Sequence, residues 1–558
     1  MPEDYTYHPK SSYEDWERLA EATLKGAPLS SLERVTEDDI SIPALYTRQH
    51  RPSNAGAAIA VPRQWMICQR IEPQTSEAAL NAAMLDELIG GAQRIEFPAE
   101  MDISLLPGAL QDVLVEAVSF AMEPGPHPDQ AAAAIVSALK EGGADLEKAN
   151  ACLGADPLAM MACGIQEKND AHSMLTSVLN WVGEAGRGLP NIRAFAVAGD
   201  LYHQLGLTPA GELAAVLVGT VAILRAGEEN GHKLDDLFRR MEFRLAAEPD
   251  IYLTLAKTRA LRQGLRQLAD ASGIACPDLG DRIHGVTSAR HLSAVDADTN
   301  ILRNSTAMLG LVLGGAGIIT CLAHDWLTGS SARGLRLARN SHHLMRDEAR
   351  LGQVADPAAG SYFLDQLTVA LGEKAWARFQ EIEGKGGLDE SLSHGLIDRW
   401  ADEARSRRQK VVNSGASPLL SVTLHPAAGT SPGQVLNTFS GPRGGSCRPS
   451  APWEALRARM AGAEIRVLLL DLDEAKGAGA TLRWFQAIGI NATHMKASAE
   501  KAMDIITAAK PDLLVTDGAD TVLLEQVGRR PSPLSHLEAT AFAGDVLALL
   551  EDTMRSRS

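Results

Sequence analysis

Two histidines stand where an imidazole could do chemistry. His203 lies in AGDLYHQLG (Ala198–Gly206), just after the apolar run Ile192–Gly199, with Tyr202 beside it. An imidazole at a strand end, neutral or cationic, can stabilise charge developing on a carbonyl oxygen. His284 lies in RIHGVTS (Arg282–Ser288), where Thr287 and Ser288 add two hydroxyls. The plain alternative for both is a histidine held by packing.

Other spacings carry less. KGAGAT (Lys476–Thr481) superficially resembles a phosphate loop but lacks the GxxxxGK[ST] spacing. His342 and His343 are adjacent, without the i,i+4 spacing of helical metal ligands, and are expected to be exposed or capping. The six cysteines lie far apart with no CxxC, which points to reduced thiols and away from a disulfide framework or zinc site. No Ser/His/Asp or Cys/His arrangement stands out.

The elements that must position these residues alternate along the chain. WMICQRI (Trp65–Ile71), RIEF (Arg94–Phe97) and IRAFAVAG (Ile192–Gly199) have strand character, and 75–90, 209–225 and 250–272 have helical character. Thr208 and Pro209 suit the cap and first position of a helix. Such alternation over this length argues for a parallel α/β arrangement closed into a barrel. The apolar run 307–323 contains four glycines and is expected to be a buried helix and strand, not a membrane span. A helix with Leu337, Ser341, Leu344 and Met345 on one face follows. After the Asp356-Pro357 turn comes another, burying Leu367, Leu371, Ala375, Phe379 and Ile382. From 405 to about 455 the chain is rich in Pro, Gly and Ser and has the composition of a linker. Beyond it, IRVLLLD (Ile465–Asp471) and DLLVTD (Asp512–Asp517) with two intervening helices describe a small doubly wound unit.

At 558 residues the chain exceeds one ordinary domain, and a barrel plus a second domain fits. A net charge of −17 argues against nucleic acid or an anionic membrane as partner and suits a cytoplasmic protein. The N-terminus is polar from Pro2 to Arg18 and has no signal-peptide character.

One block carries a family resemblance. The Gly-rich apolar run ending in Asp325, then LARN (Leu337–Asn340), then EARLGQVADPAAGSY (Glu348–Tyr362), resembles the methylmalonyl-CoA mutases. The resemblance implies an adenosylcobalamin-dependent acyl-CoA isomerase fold: a (β/α)8 TIM barrel followed by a flavodoxin-like cobalamin domain. It divides the chain into an N-terminal arm that contacts a partner subunit (1–55), the barrel (56–404), the linker (405–455) and a shortened, degenerate cobalamin-binding-like domain (456–558).

Within that family Tyr202 and His203 match a Tyr-His pair that positions the cofactor and binds the thioester carbonyl. His284, Thr287 and Ser288 match a substrate-contacting segment, with Val286 in place of a polar residue. Other signatures are missing. Catalytic members ligate cobalt through the His of Asp-x-His-x-x-Gly. Here Glu474 stands in place of the His and Leu472 in place of the Asp, with Gly477 retained. The Arg-Pro-Tyr loop before the first strand is absent, since no Tyr lies between Tyr46 and Trp65. GADPLAMMACG (Gly154–Gly164) has no Arg for a substrate carboxylate and resembles the version in the accompanying subunit.

The implied protein is the small (β), non-catalytic subunit of a heterodimeric methylmalonyl-CoA mutase of propionate metabolism. Its cobalamin is bound by the large (α) subunit, and no metal site is expected. Tyr202, His203 and His284 are then vestigial. The alternatives are an active acyl-CoA mutase barrel using cobalamin held by a separate subunit, and a non-catalytic regulatory protein that binds acyl-CoA.

Overall fold

The structure is a computed structural model that describes residues 12–52, 64–275, 279–426, 430–437, 447–461, 466–472, 478–517 and 535–538. Contacts divide the chain into two compact units. The first comprises Met1–Thr287, Thr306–Cys321 and Arg339–Ala401, and the second Ser288–Ser305, Leu322–Ala338 and Asp402–Ser558.

Eight strands of the first unit close into a barrel: β1 (Met66–Arg70), β2 (Arg94–Phe97), β3 (Ser119–Met122), β4 (Ala151–Ala155), β5 (Ile192–Ala198), β6 (Met241–Ala247), β7 (Ile283–Thr287) and β8 (Ile318–Thr320). Each strand pairs in parallel with the next, and β8 closes on β1 through Thr320 opposite Cys68. Parallel neighbours need crossovers, and helices supply most of them. They are α1 (Glu77–Ile89), α2 (Pro128–Glu141), α3 (Lys168–Gly183), α4 (Pro209–Glu229), α5 (Ile251–Ala271), α6 (Thr299–Gly314) and, after β8, α7 (Tyr362–Gly384). The expected (β/α)8 TIM barrel is therefore present.

Local chemistry explains the helix starts. Thr208 accepts from Gly211 N at 3.4 Å with Pro209 in the first turn, as its sequence suggests. The Thr208 hydroxyl also donates to the buried Asp38 carboxylate, which accepts from Ala210 N at 2.9 Å. Asp38 thereby fastens part of the N-terminal segment to α4. The helix before it, Tyr13–Thr23, has no buried residue, and its Leu19 is 69% exposed. α4 is also long and apolar enough to cross a membrane, but 78% of its apolar window is buried inside the protein, as befits a core helix.

The glycine-rich run is a device for close packing. A Cβ at Gly310 or Gly314 would lie 2.8 Å from Thr254 or Thr258, so the two glycines let α6 approach α5. α7 buries Leu367, Leu371, Ala375 and Ile382, with Phe379 half-buried against Trp376. Two expectations for the helix Ala332–His343 and the turn after it need correction. Leu344 is 53% exposed and does not belong to the buried face. His342 is fully buried, neither exposed nor capping, and its Nδ1 accepts from Trp65 Nε1 at 3.0 Å.

The second unit contains a four-stranded parallel sheet: β9 (Val467–Leu472), β10 (Ala492–Ala497), β11 (Leu513–Asp517) and β12 (Ser535–Glu538), in the order β10-β9-β11-β12. Alternation on β9 sends Val467 and Leu469 into one core with Trp453, Trp484 and Phe485. Leu468 and Leu470 pack on the other face with Ala502 and Ile506. This is a small doubly wound sheet of flavodoxin-like order. A helix, Leu396–Ser414, runs through the expected start of the linker at 405.

Candidate functional site

The barrel interior is organised by two short charge patterns. β2 carries Arg94-Ile95-Glu96 and β6 carries Glu242-Phe243-Arg244. The two strands stand four apart in an eight-stranded ring, which places them opposite each other. On parallel strands, R-x-E facing E-x-R matches opposite charges at two successive levels. Arg94 Nη1 and Nη2 donate to Glu242 Oε2 and Oε1 at 2.8 and 2.9 Å. One level further along, Arg244 Nη1 donates to Glu96. All four side chains are at most 1% exposed.

Further groups complete the network. Arg193 Nη1 donates to Glu242 at 3.1 Å, and its Nη2 to Asp281 at 2.6 Å. Arg244 Nε and Nη2 donate to Asp200 Oδ2 at 3.1 and 3.0 Å. Near the strand ends Arg70 donates to the buried Glu123 at 2.7 Å. Burial opposes ionisation of Glu96, yet the Arg244 guanidinium foremost holds its carboxyl down to about 2. Burial likewise opposes charge on Glu242, and Arg94 keeps it well below the usual carboxylate range. Buried carboxylates of this kind persist because each has a cation at hydrogen-bond distance.

His284 belongs to the same network. Burial and the neighbouring Arg244 push its imidazole below the usual histidine range, so it is neutral at pH 7. Its Nδ1 lies 3.0 Å from Glu242 Oε1, which can only accept, and 3.2 Å from Arg244 Nη1, which can only donate; a proton on Nδ1 serves the shorter contact. Nε2 then accepts from Thr320 Oγ1 at 2.8 Å. Both ring nitrogens are engaged, and no proton remains for a thioester carbonyl. The Cys68, Glu96 and His284 donor atoms lie within 4.8 Å of one another, a spacing that would suit a metal. The Arg244 guanidinium already occupies the cation's role there, and burial raises the Cys68 thiol far above its ordinary value.

Tyr202 and His203 sit on the short helix Gly199–Leu205 that follows β5. His203 is fully buried, with Nδ1 3.4 Å from Glu248 and 3.5 Å from Glu212. Glu212 in turn accepts from Lys257 Nζ at 2.7 Å and Ala246 N at 2.6 Å. Burial, with Lys257 working against it, pushes the Glu212 carboxyl up to about 7. The Tyr202 ring is 3% exposed and its hydroxyl has no hydrogen-bond partner. Burial raises its pKa well above the ordinary value. Asp156, the cap of helix Pro157–Ala162, accepts from Ala159 N at 3.0 Å and Ala198 N at 2.7 Å.

The structure thus brings His284 into the charge network and places Tyr202 and His203 together at the end of β5. Thr287 ends β7 and Ser288 opens the turn after it; both are buried, and they fall in different compact units. The crossed charge pairs are the feature that motif reading passed over. Their signal was present: two short buried strands each carrying two charges at i,i+2, in inverse order.

In the second unit, Glu474 and Gly477 lie outside the described residues. The sequence 473–477 contains no histidine. In the described part of the sheet, His494 on β10 holds Asp471 of β9 at 3.0 Å. These residues do not fit a lower axial imidazole for cobalamin, since that sequence offers a carboxylate and His494 is turned to Asp471.

The profile of the methylmalonyl-CoA mutase family matches residues 101–504. The chain belongs to the methylmalonyl-CoA mutase family. The methylmalonyl-CoA mutase small subunit of Streptomyces virginiae is 30% identical, across 93% of this chain and 89% of that protein. The small subunit of Propionibacterium freudenreichii subsp. shermanii is 28% identical, over 75% of this chain and 69% of that one. The methylmalonyl-CoA mutase of Rhizobium meliloti is 25% identical, over 76% of this chain. Within the mutase family, then, the chain is similar to small subunits.

Proposed function

We propose that this chain is the non-catalytic small subunit of a heterodimeric, adenosylcobalamin-dependent methylmalonyl-CoA mutase. The holoenzyme interconverts methylmalonyl-CoA and succinyl-CoA in the cytoplasm, and the large subunit holds the cobalamin. The single observation behind this reading is the crossed pairing of Arg94–Glu242 and Glu96–Arg244 through the barrel. A barrel that binds the charged groups of an acyl-CoA needs donors that its own side chains leave free. Here the guanidiniums that could serve a substrate anion are engaged by the protein's own carboxylates.

Two further features support the reading. His284 has both nitrogens engaged, and the second unit carries Glu474 in place of a cobalt ligand. The uncovered apolar side of helix Tyr13–Thr23 suits residues 1–55 as an arm that packs on the large subunit. Residues 56–404 form the barrel in this scheme, 405–455 the linker and 456–558 the degenerate domain.

The hydroxyl of Tyr202, without a hydrogen-bond partner among the described residues, favours instead a barrel still able to bind and turn over an acyl-CoA. One assay separates the two readings. Mutase turnover with adenosylcobalamin and methylmalonyl-CoA is measured on this chain alone, on the chain with a cobalamin-carrying domain that lacks a barrel, and on the chain combined with its large subunit. Activity in the pair alone supports the small-subunit reading, whereas turnover by this chain plus a cobalamin-carrying domain without its own barrel refutes it.

A further inference from the structure

The opposite end of the barrel carries a cavity that meets the charge network at Arg193 and Asp281. It lies where β4 to β7 begin, with Asn150, Asn191, Arg240 and Arg282 immediately before or at the strand starts. Its volume is about 820 Å³, in the range of small-molecule sites.

Its charge is the anomaly. Six cations line it, Arg187, Arg193, Lys233, Arg239, Arg240 and Arg282, against three carboxylates, Glu184, Asp236 and Asp281. This concentration of positive charge occurs in a chain whose net charge is −17. One carboxylate is already taken, because Asp281 accepts from Arg193. Arg240 is nine-tenths buried, yet its guanidinium donates to the backbone carbonyls of Leu189, Ile192 and Gly186. Those bonds satisfy its protons and leave its charge without a carboxylate neighbour in contact. At the rim, Arg187, Lys233 and Arg239 make no side-chain hydrogen bond or ion pair among the described residues.

We infer that this cavity binds a phosphorylated polyol. A half-open cavity rimmed by Arg187, Lys233 and Arg239, with the engaged Arg193, Arg240 and Arg282 adding positive charge behind them, favours a multiply charged anion, because the rim guanidiniums can grip phosphate oxygens in charge-assisted pairs. The remaining lining selects the rest of the molecule. Asn150, Asn180, Asn191 and Asn230 bring amide groups suited to hydroxyls, each of the first, third and fourth keeping part of its amide beyond one bond to Ser119, Glu147 O and Ala226 O, while Val182 and Pro190 give too little apolar surface for a nucleobase. The Asn180 amide has no partner of its own among the described residues. The site does not depend on the assignment of this chain as a mutase subunit.

Calorimetric titration of the full chain with fructose 1,6-bisphosphate, ATP, pyrophosphate and sulfate, at matched ionic strength, tests it. The bisphosphate is expected to bind at least about tenfold more tightly than sulfate, with affinity falling as salt rises. Replacing the three rim cations together (Arg187→Ala, Lys233→Ala, Arg239→Ala) should weaken it at least about tenfold again. These side chains are exposed and bond to nothing, and circular dichroism checks that the variant still folds. Equal affinity for sulfate and bisphosphate, or unchanged affinity in the triple variant, overturns the site. ATP or pyrophosphate binding more tightly than the bisphosphate overturns the polyol class.

Discussion

Arg94 and Glu242 meet across the full width of the barrel, in a two-pronged pair of 2.8 and 2.9 Å between strands that face each other. The same two strands meet again one level on with the charges exchanged, Glu96 to Arg244. A TIM-barrel interior is ordinarily filled by branched apolar side chains in layers. Here much of the filling is ionic, and each charge is answered within the barrel wall.

Removing both members should therefore cost less than the two single removals added together. Arg94→Met leaves Glu242 short of its main counter-charge and is expected to cost about 3 kcal/mol, the usual scale for a broken buried pair. Arg94→Met with Glu242→Gln relieves the uncompensated charge. The double variant should lose at least about 1 kcal/mol less than the two single losses added together. Urea unfolding of the four proteins measures the coupling; strict additivity would mean that the pair is not a unit.

Much of the barrel can be read from the chain because its signals are local and mutually consistent. WMICQRI, RIEF and IRAFAVAG hold strands where their composition says so, and Thr208-Pro209 starts α4 as expected. What escaped is what depends on distant pairing. Nothing near His342 announces that Trp65, 277 residues away, gives it a buried partner. Likewise Arg94 and Glu242 are 148 residues apart, and only ring closure makes them neighbours. The candidate histidines were legible as positions but not as roles, since the roles depend on which ring nitrogens the surrounding carboxylates claim.

Tyr202→Phe should be tolerated. The hydroxyl is buried without a partner, and an unsatisfied buried polar group is destabilising. Deleting it is expected to leave stability unchanged or raise it by up to about 1 kcal/mol. Mutase activity of the subunit pair should not change. A loss of turnover in the pair, with stability intact, would give this tyrosine a part in the reaction.

Gly154→Ala should be severe. Gly154 has φ of +70°, and an added Cβ would lie 2.5 Å from Met122 O and 2.8 Å from Glu123 O, both backbone atoms on the adjacent strand segment. Neither obstacle can rotate away, so the backbone itself must shift. A loss of more than about 3 kcal/mol is expected, visible as a lowered urea midpoint or insoluble expression. Near-native stability would show that the β4 end is free to move away from β3.

The pH dependence of stability should be a dome with its maximum near pH 4. Burial raises the Asp156 carboxyl to about 6 and the Glu212 carboxyl to about 7, above their unfolded values near 4. Between those values the folded chain holds protons that the unfolded chain releases, so stability falls as pH rises through 6 and 7. Glu96 acts in the opposite sense. Its folded value of about 2 lies below the unfolded one, so its contribution is complete above about pH 5 and is lost as pH falls toward 2. Glu242, also depressed, adds to that acid limb. Calorimetric unfolding temperatures from pH 2 to 8 should therefore rise as pH drops from 8 to about 4, then fall. Asp156→Asn forfeits the bond from Ala198 N and should be less stable throughout, yet with a shallower slope between pH 5 and 7. A stability that climbs steadily up to pH 8 would mean that Asp156 and Glu212 are ionised in the fold, paired more closely than their surroundings indicate.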